Sequence, residues 1–160
     1  MIILGIDPGT ATTGYGLIEV ENDSLTVINY GTIRTSPKDS IPIRLKDIFN
    51  DINELIEKFS PDVMSIEELF FFKNAKTVIT VSEARGVILL SAIQNDLEIF
   101  EYTPLEIKLS LTGYGRAEKH EIQSSVKDFL SLEEIPKPDD AADALAVALC
   151  HHQHINSNMI

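Results

Sequence analysis

Cysteine occurs once, at Cys150, so no disulfide can form within the chain. That fits a reducing compartment. Basic residues are scarce: 13 lysines and arginines stand against 25 aspartates and glutamates, a formal net charge of −12. Taken alone, this argues against a nucleic-acid partner, because phosphate binding draws on lysine and arginine. The N-terminus lacks the basic segment and apolar stretch of a signal peptide. No unbroken apolar run approaches the ~20 residues that span a bilayer. Repeats and low-complexity segments are missing too. These absences lead us to expect a cytoplasmic protein without membrane contact. What is present is an ordinary globular composition, 44% hydrophobic and 24% charged over 160 residues, enough for one domain with a sizeable core. Residues 1–154 are expected to form that domain and 155–160 a short tail.

The periodicity changes along the chain. Residues 2–7 are an apolar strand ending in Asp7. A glycine-rich turn through Gly14 and Gly16 leads to a second strand over Tyr15–Val20, and a third covers Leu25–Ile33. Leu45, Ile48, Phe49, Ile52, Leu55, Ile56 and Phe59 then recur every three or four residues, the mark of an amphipathic helix over 41–59. Val63–Ile66 is a fourth strand, 74–94 a long helix and 97–102 a fifth strand. Thr103-Pro104 starts a short helix to about Leu111. Helices follow at 117–130 and from Asp139 to His152. The order βββαβαβ with closing helices predicts a mixed α/β sheet covered by helices.

Carboxylates fall at the ends of three of these elements. Asp7 closes the first strand and Glu67 the fourth, while Asp140 and Asp143 stand three apart near the start of the last helix. If the first and fourth strands are neighbours, Asp7 and Glu67 meet at the sheet end and the helix can add its pair. Four hard oxygen donors at one point suit magnesium or manganese. Simpler roles exist for each. Asp7-Pro8-Gly9 is also a good turn opening, and Asp139 or Asp140 a good helix cap. Asp143 is harder to explain away, since it interrupts the apolar small-residue run "AADALAVAL".

The segments "ILGIDPGTATTGYG", "IEELFFFKNAKT", "EARGVIL", "LTGYGRAEK" and "DDAADALAVAL" together resemble the RuvC type of Holliday-junction resolvase, within the RNase H-like nucleases. They run in order over nearly the whole chain. The resemblance implies the RNase H-like fold, a mixed five-stranded sheet flanked by helices. It implies a magnesium-dependent endonuclease with two ions per site, manganese substituting. Such an enzyme would cut four-way DNA junctions in recombination and repair. It would act as a homodimer alongside a branch-migration helicase complex of the RuvA/RuvB type.

Carried over by motif, the family's catalytic acids fall on Asp7, Glu67, Asp140 and Asp143. The glutamate directly after the isoleucine of "SIEEL" selects Glu67 over Glu68. The pair bracketing two alanines selects Asp140 over Asp139. Lys108 and Lys119 match family lysines implicated in DNA contact and catalysis, and Phe70 an aromatic that stacks near opened bases. Lys73, Lys76 and Arg116 join them as expected DNA contacts, an aromatic beside lysines being suited to stacking and phosphate attraction. The long apolar helix 74–94 is the expected dimer interface. His151, His152 and His154 are expected to finish the last helix as favourable cations. Two other readings compete. The glycine loop resembles that of sugar kinases and actin-like ATPases, which need a second lobe. RNA-processing relatives of the resolvases share the first acid.

Overall fold

The computed structural model describes residues 1–22, 24–69 and 75–157, with Ala75, Lys76 and Ser157 described by backbone alone. Five strands form one sheet in the order β3-β2-β1-β4-β5. They are β1 (Ile2–Asp7), β2 (Thr12–Glu21), β3 (Ser24–Arg34), β4 (Val63–Glu67) and β5 (Glu98–Tyr102). β1 pairs antiparallel with β2 and parallel with β4, and β4 runs parallel to β5. The five helices are α1 (Ile41–Phe59), α2 (Ala75–Gln94), α3 (Pro104–Thr112), α4 (Lys119–Phe129) and α5 (Asp139–Ser157).

β1 is the central strand, and its alternation sorts the two cores. Leu4 and Ile6 face a layer containing Ile48, Ile52 and Ile56 of α1 and Ala84, Ile88 and Ala92 of α2. The one-turn spacing of the three α1 isoleucines is what makes that helix lie on the sheet. Ile3 faces the opposite layer, with Leu145, Val147 and Leu149 of α5, Ile107 of α3 and Val126 of α4. Asp7 has the parity of Ile3, so it belongs to the α5 face. On β4, Val63 joins the α5 layer while Met64 and Ile66 join the other, which places Glu67 on the α5 face as well.

The glycines act differently from the expected turn. Gly14 and Gly16 lie inside β2, opposite Asp7 and Gly5 of β1. A side chain at Gly14 would run into the Asp140 carbonyl, and one at Gly5 would approach the Ala148 methyl to 2.8 Å. Bare backbone here lets α5, with five alanines between Ala141 and Ala148, descend onto the strands. Its residues Ala141, Ala142 and Ala144 to Cys150 are all buried.

Local signals set the other boundaries. Thr103 accepts from the Glu106 backbone N–H while Glu106 accepts from the Thr103 N–H, a complete capping box at the start of α3. Gly113 ends that helix at φ 70°. α5 runs past the expected His152 to Ser157, so residues 155–157 continue the helix. His151 is therefore not a cation at a helix end. It is buried, burial pushes its imidazole down to about 4, and Nδ1 lies 2.7 Å from the Tyr102 hydroxyl. The neutral ring shares a hydrogen bond with the Tyr102 hydroxyl. Thr77–Gln94 of α2 is long and apolar enough to cross a bilayer. Yet it carries Glu83 and Arg85, and it places Ala84, Ile88 and Ala92 in the core.

Candidate active site

Register brings the first two acids together. Ile6 pairs with Ile66 across the parallel β1–β4 ladder, so Asp7 and Glu67 stand side by side at the ends of their strands, on one face. α5 crosses that end with its first turn. Its Asp140 backbone lies against Gly14, the residue paired with Asp7. All four carboxylates interact through charge. Burial, then the charges of Glu67, Asp143 and Asp140, raise the Asp7 carboxyl to about 8. Burial and the charge of Asp143 raise Glu67 to about 7, against the pull of Lys108. Asp143 is also raised, by burial first, while Lys119 opposes the shift.

Two lysines reach this end of the sheet. Lys119 at the start of α4 donates to Asp143 Oδ2 at 3.0 Å and lies 3.4 Å from Asp139 Oδ2. Burial lowers the Lys119 pKa, but the hydrogen bond and charge of Asp143, with those of Asp139, leave it raised overall. Lys108 of α3 lines a recess of about 210 Å³ together with Glu67, Lys119 and Asp143, over an apolar floor that includes Ile107 and Val147. Asp139 is mostly exposed and is held by Lys119 and by Gln123 Nε2 at 3.2 Å. Its neighbour Asp140 is the member of the pair that raises Asp7. Arg116 is exposed on the loop before α4. Phe70 and Lys73 lie outside the described residues, as does the side chain of Lys76.

The donor set fits a hard divalent cation: carboxyl oxygens on which burial first, and mutual repulsion second, raise Asp7 and Glu67 toward neutral pH. Among the described residues, no three Asp, Glu, His or Cys side chains are close enough to hold one ion as they stand. Lys119 takes Asp143 instead.

One contact that the sequence did not suggest sits beside Glu67. Arg85 of α2 donates from Nε to the Glu67 carbonyl oxygen at 3.3 Å and pairs through Nη2 with Glu101 of β5. Only its place in "EARGVIL", an arginine interrupting an apolar helix, hinted at a specific partner.

The family model for "Crossover junction endodeoxyribonuclease RuvC" matches residues 3–151. The RuvC protein of Caldicellulosiruptor saccharolyticus is 59% identical over 152 residues, covering 94% of this chain and 92% of that protein. The solved structure of Thermus thermophilus RuvC superposes with a TM-score of 0.92 at 31% identity, covering 99% of this chain and 97% of the other. The same protein in complex with a Holliday junction substrate gives 0.89 at 29% identity, over 98% and 96% of the two chains. With the mixed sheet and strand order already described, these matches place the chain in the RuvC family of crossover junction endodeoxyribonucleases, on the RNase H-like fold.

Proposed function

We propose that this chain resolves four-way DNA junctions by paired, symmetric nicks, in homologous recombination and repair, using two magnesium ions. The observation that carries the reading is the strand-end pair Asp7 and Glu67, faced by Asp140 and Asp143 from the first turn of α5. These four would hold the ions, with Asp7 on the central strand among them. When bound, the metals would supply an activated water and stabilise the departing 3′ oxygen, leaving a 5′-phosphate.

The chain's own residues do the rest. The sheet holds Asp7 and Glu67 rigidly, so little ordering is needed when substrate arrives. Lys119 neutralises Asp143 in the absence of substrate and is free to turn toward the scissile phosphate once a cation replaces it. Lys108, on the same recess as Glu67, offers a second positive charge to the strand. Arg116 would contact flanking phosphates, and Phe70, Lys73 and Lys76 keep the stacking and phosphate-binding roles their sequence suggests.

Symmetric nicks need two sites related by a two-fold axis. α2 supplies a surface for that: Ile79, Leu90 and Ile93 are each more than half exposed on a helix whose other side is already in the core. We read this face as the contact between two copies of the chain. A branch-migration helicase complex is the proposed further partner, and the cytoplasm the proposed location.

The test uses a synthetic four-way junction and a linear duplex of the same sequence, each in magnesium and in EDTA. Paired nicks on the junction alone, lost in EDTA, are the expected result. Equal cutting of the linear duplex, or cutting in EDTA, would refute the proposal.

A further inference from the structure

We infer that Arg85 is a positioning residue for Glu67, aiming its carboxylate by gripping the peptide that follows it; this rests on the proposed metal role of Glu67.

The peptide between Glu67 and Glu68 is the last regular unit of β4, at the point where the described chain leaves the sheet. Both of its polar ends are held. Its carbonyl oxygen accepts from Arg85 Nε at 3.3 Å. Its N–H donates to the Tyr102 carbonyl at 2.8 Å. With both ends fixed, ψ of Glu67 is fixed, and the direction of its Cα–Cβ bond follows. Glu67 shares its face with Asp7, and that direction sets the region its carboxylate can reach.

Arg85 is well suited to the task. It interrupts an apolar helix, and its side chain is only 16% exposed. A guanidinium that far from water needs partners. It has two, on different strands: the Glu67 main chain on β4 and the Glu101 carboxylate on β5. The planar fork can serve both at once, Nε to one and Nη2 to the other, whereas a lysine amine at the same place has a different shape and reach. Glu101 lies on the sheet face opposite Tyr102, the α2 side. It anchors the guanidinium and makes no direct bond to Glu67. The grip also ties Glu67 to the helix whose outer face we assign to the second copy.

The experiment compares Arg85→Met, Arg85→Lys, Glu101→Gln and Glu67→Gln with the wild-type chain. Manganese binding is measured by titration calorimetry, and cleavage is measured as a kcat and KM split on a four-way junction. In metalloprotein sites, loss of a group that orients a ligand weakens metal affinity by on the order of tenfold. That loss is expected for Arg85→Met, with kcat reduced and junction KM kept. Arg85→Lys should fall between Arg85→Met and wild type. Glu101→Gln, at an exposed strand position, should show a smaller loss in the same direction. It decides the matter if Arg85→Met does not fold.

Wild-type manganese affinity in folded Arg85→Met, with Glu67→Gln weakened, would overturn the positioning role and leave the metal reading standing. Wild-type affinity in Glu67→Gln would overturn the metal reading and this inference with it. If Arg85→Met fails to fold and Glu101→Gln binds manganese as wild type does, the positioning role is likewise overturned.

Discussion

Replacing Asp7 with asparagine should make the metal-free protein more stable while abolishing cleavage. The reason is the environment of Asp7. Burial and three neighbouring carboxylates raise its pKa from 3.8 to about 8. Unfolding releases it to its ordinary value. Between those two pH values the folded chain therefore binds more protons than the unfolded one, so stability falls as pH rises. The contribution is fully present below 3.8 and is lost as pH passes through about 8. That interval covers roughly four pH units at about 1.4 kcal/mol each, so the upper bound is on the order of 5 kcal/mol at the alkaline end. Glu67 titrates nearby, at about 7, and shares part of the effect. Half the bound, at about 2–4 °C per kcal/mol for a chain of this size, is a Tm difference of roughly 5–10 °C.

Differential scanning calorimetry in EDTA from pH 4.5 to 8.5 measures it. The melting temperatures of Asp7→Asn and wild type should nearly coincide at the acid end and separate steadily toward pH 8, the variant being higher. Adding magnesium should close or reverse the gap, because wild type alone keeps the full ligand set. Ligand at a hundredfold over its Kd adds about 2.7 kcal/mol to the form that binds it. Parallel curves for the two proteins across the range, or a variant less stable than wild type at pH 8 in EDTA, would refute the reasoning.

Three further outcomes follow from the structure. Gly14→Ala would push a methyl into the Asp140 carbonyl; urea denaturation should show a loss of roughly 1–3 kcal/mol, with cleavage falling as α5 lifts from the strands. Leu90→Glu places a charge on the exposed apolar face of α2; sedimentation should show monomer with an unchanged circular dichroism spectrum, and paired nicking of junctions should be lost. Lys119→Met removes the cation on Asp143; junction cleavage should drop, and if Lys119 meets a phosphate the salt dependence of junction binding should lose roughly 0.9 from its logarithmic slope.

Local chemistry made much of this molecule readable in advance. The α1 isoleucines repeat at helical spacing, Thr103-Pro104 caps a helix, and an acid at the end of an apolar strand is conspicuous without any partner in view. What stayed hidden depends on distant approach. Gly14 and Gly16 suggested a loop because glycine is common in turns. Their actual role appears only when α5, more than a hundred residues later, is laid over them. The signal was present as a pairing of patterns: glycines at alternate strand positions and alanines along one helix. His151 gave no such sign, since burial against Tyr102 and Phe100 comes from packing α5 on β5. Arg85 stood out as an arginine within an apolar helix, but its two partners lie on separate strands and come beside it only in the fold.

The same layering bears on the conflict between an acidic chain and a phosphate-rich substrate. Net charge sums over all faces, while a DNA strand responds to the face it meets. α1 carries Asp47, Asp51, Glu54 and Glu57 beside Arg44, Lys46 and Lys58; burial and then the charges of Glu54 and Asp47 raise Asp51 among them. α1 packs with α2 on the sheet face opposite α5. Its charges are therefore separated from the Asp7 end of the sheet by the sheet itself and by the helix layer beyond, each about 10 Å thick. With four acids against three basic residues, that helix adds a net charge of only −1, so it contributes little repulsion at the site. There Lys108 and Lys119 stand beside Glu67 and Asp143, and Asp7 and Glu67 keep protons to near neutral pH. On the proposed reading, a substrate approaching that face would meet carboxylates partly neutralised by protons and by Lys119. What a DNA strand meets at that face is therefore the local balance of Lys108 and Lys119 against these carboxylates, rather than the total of −12.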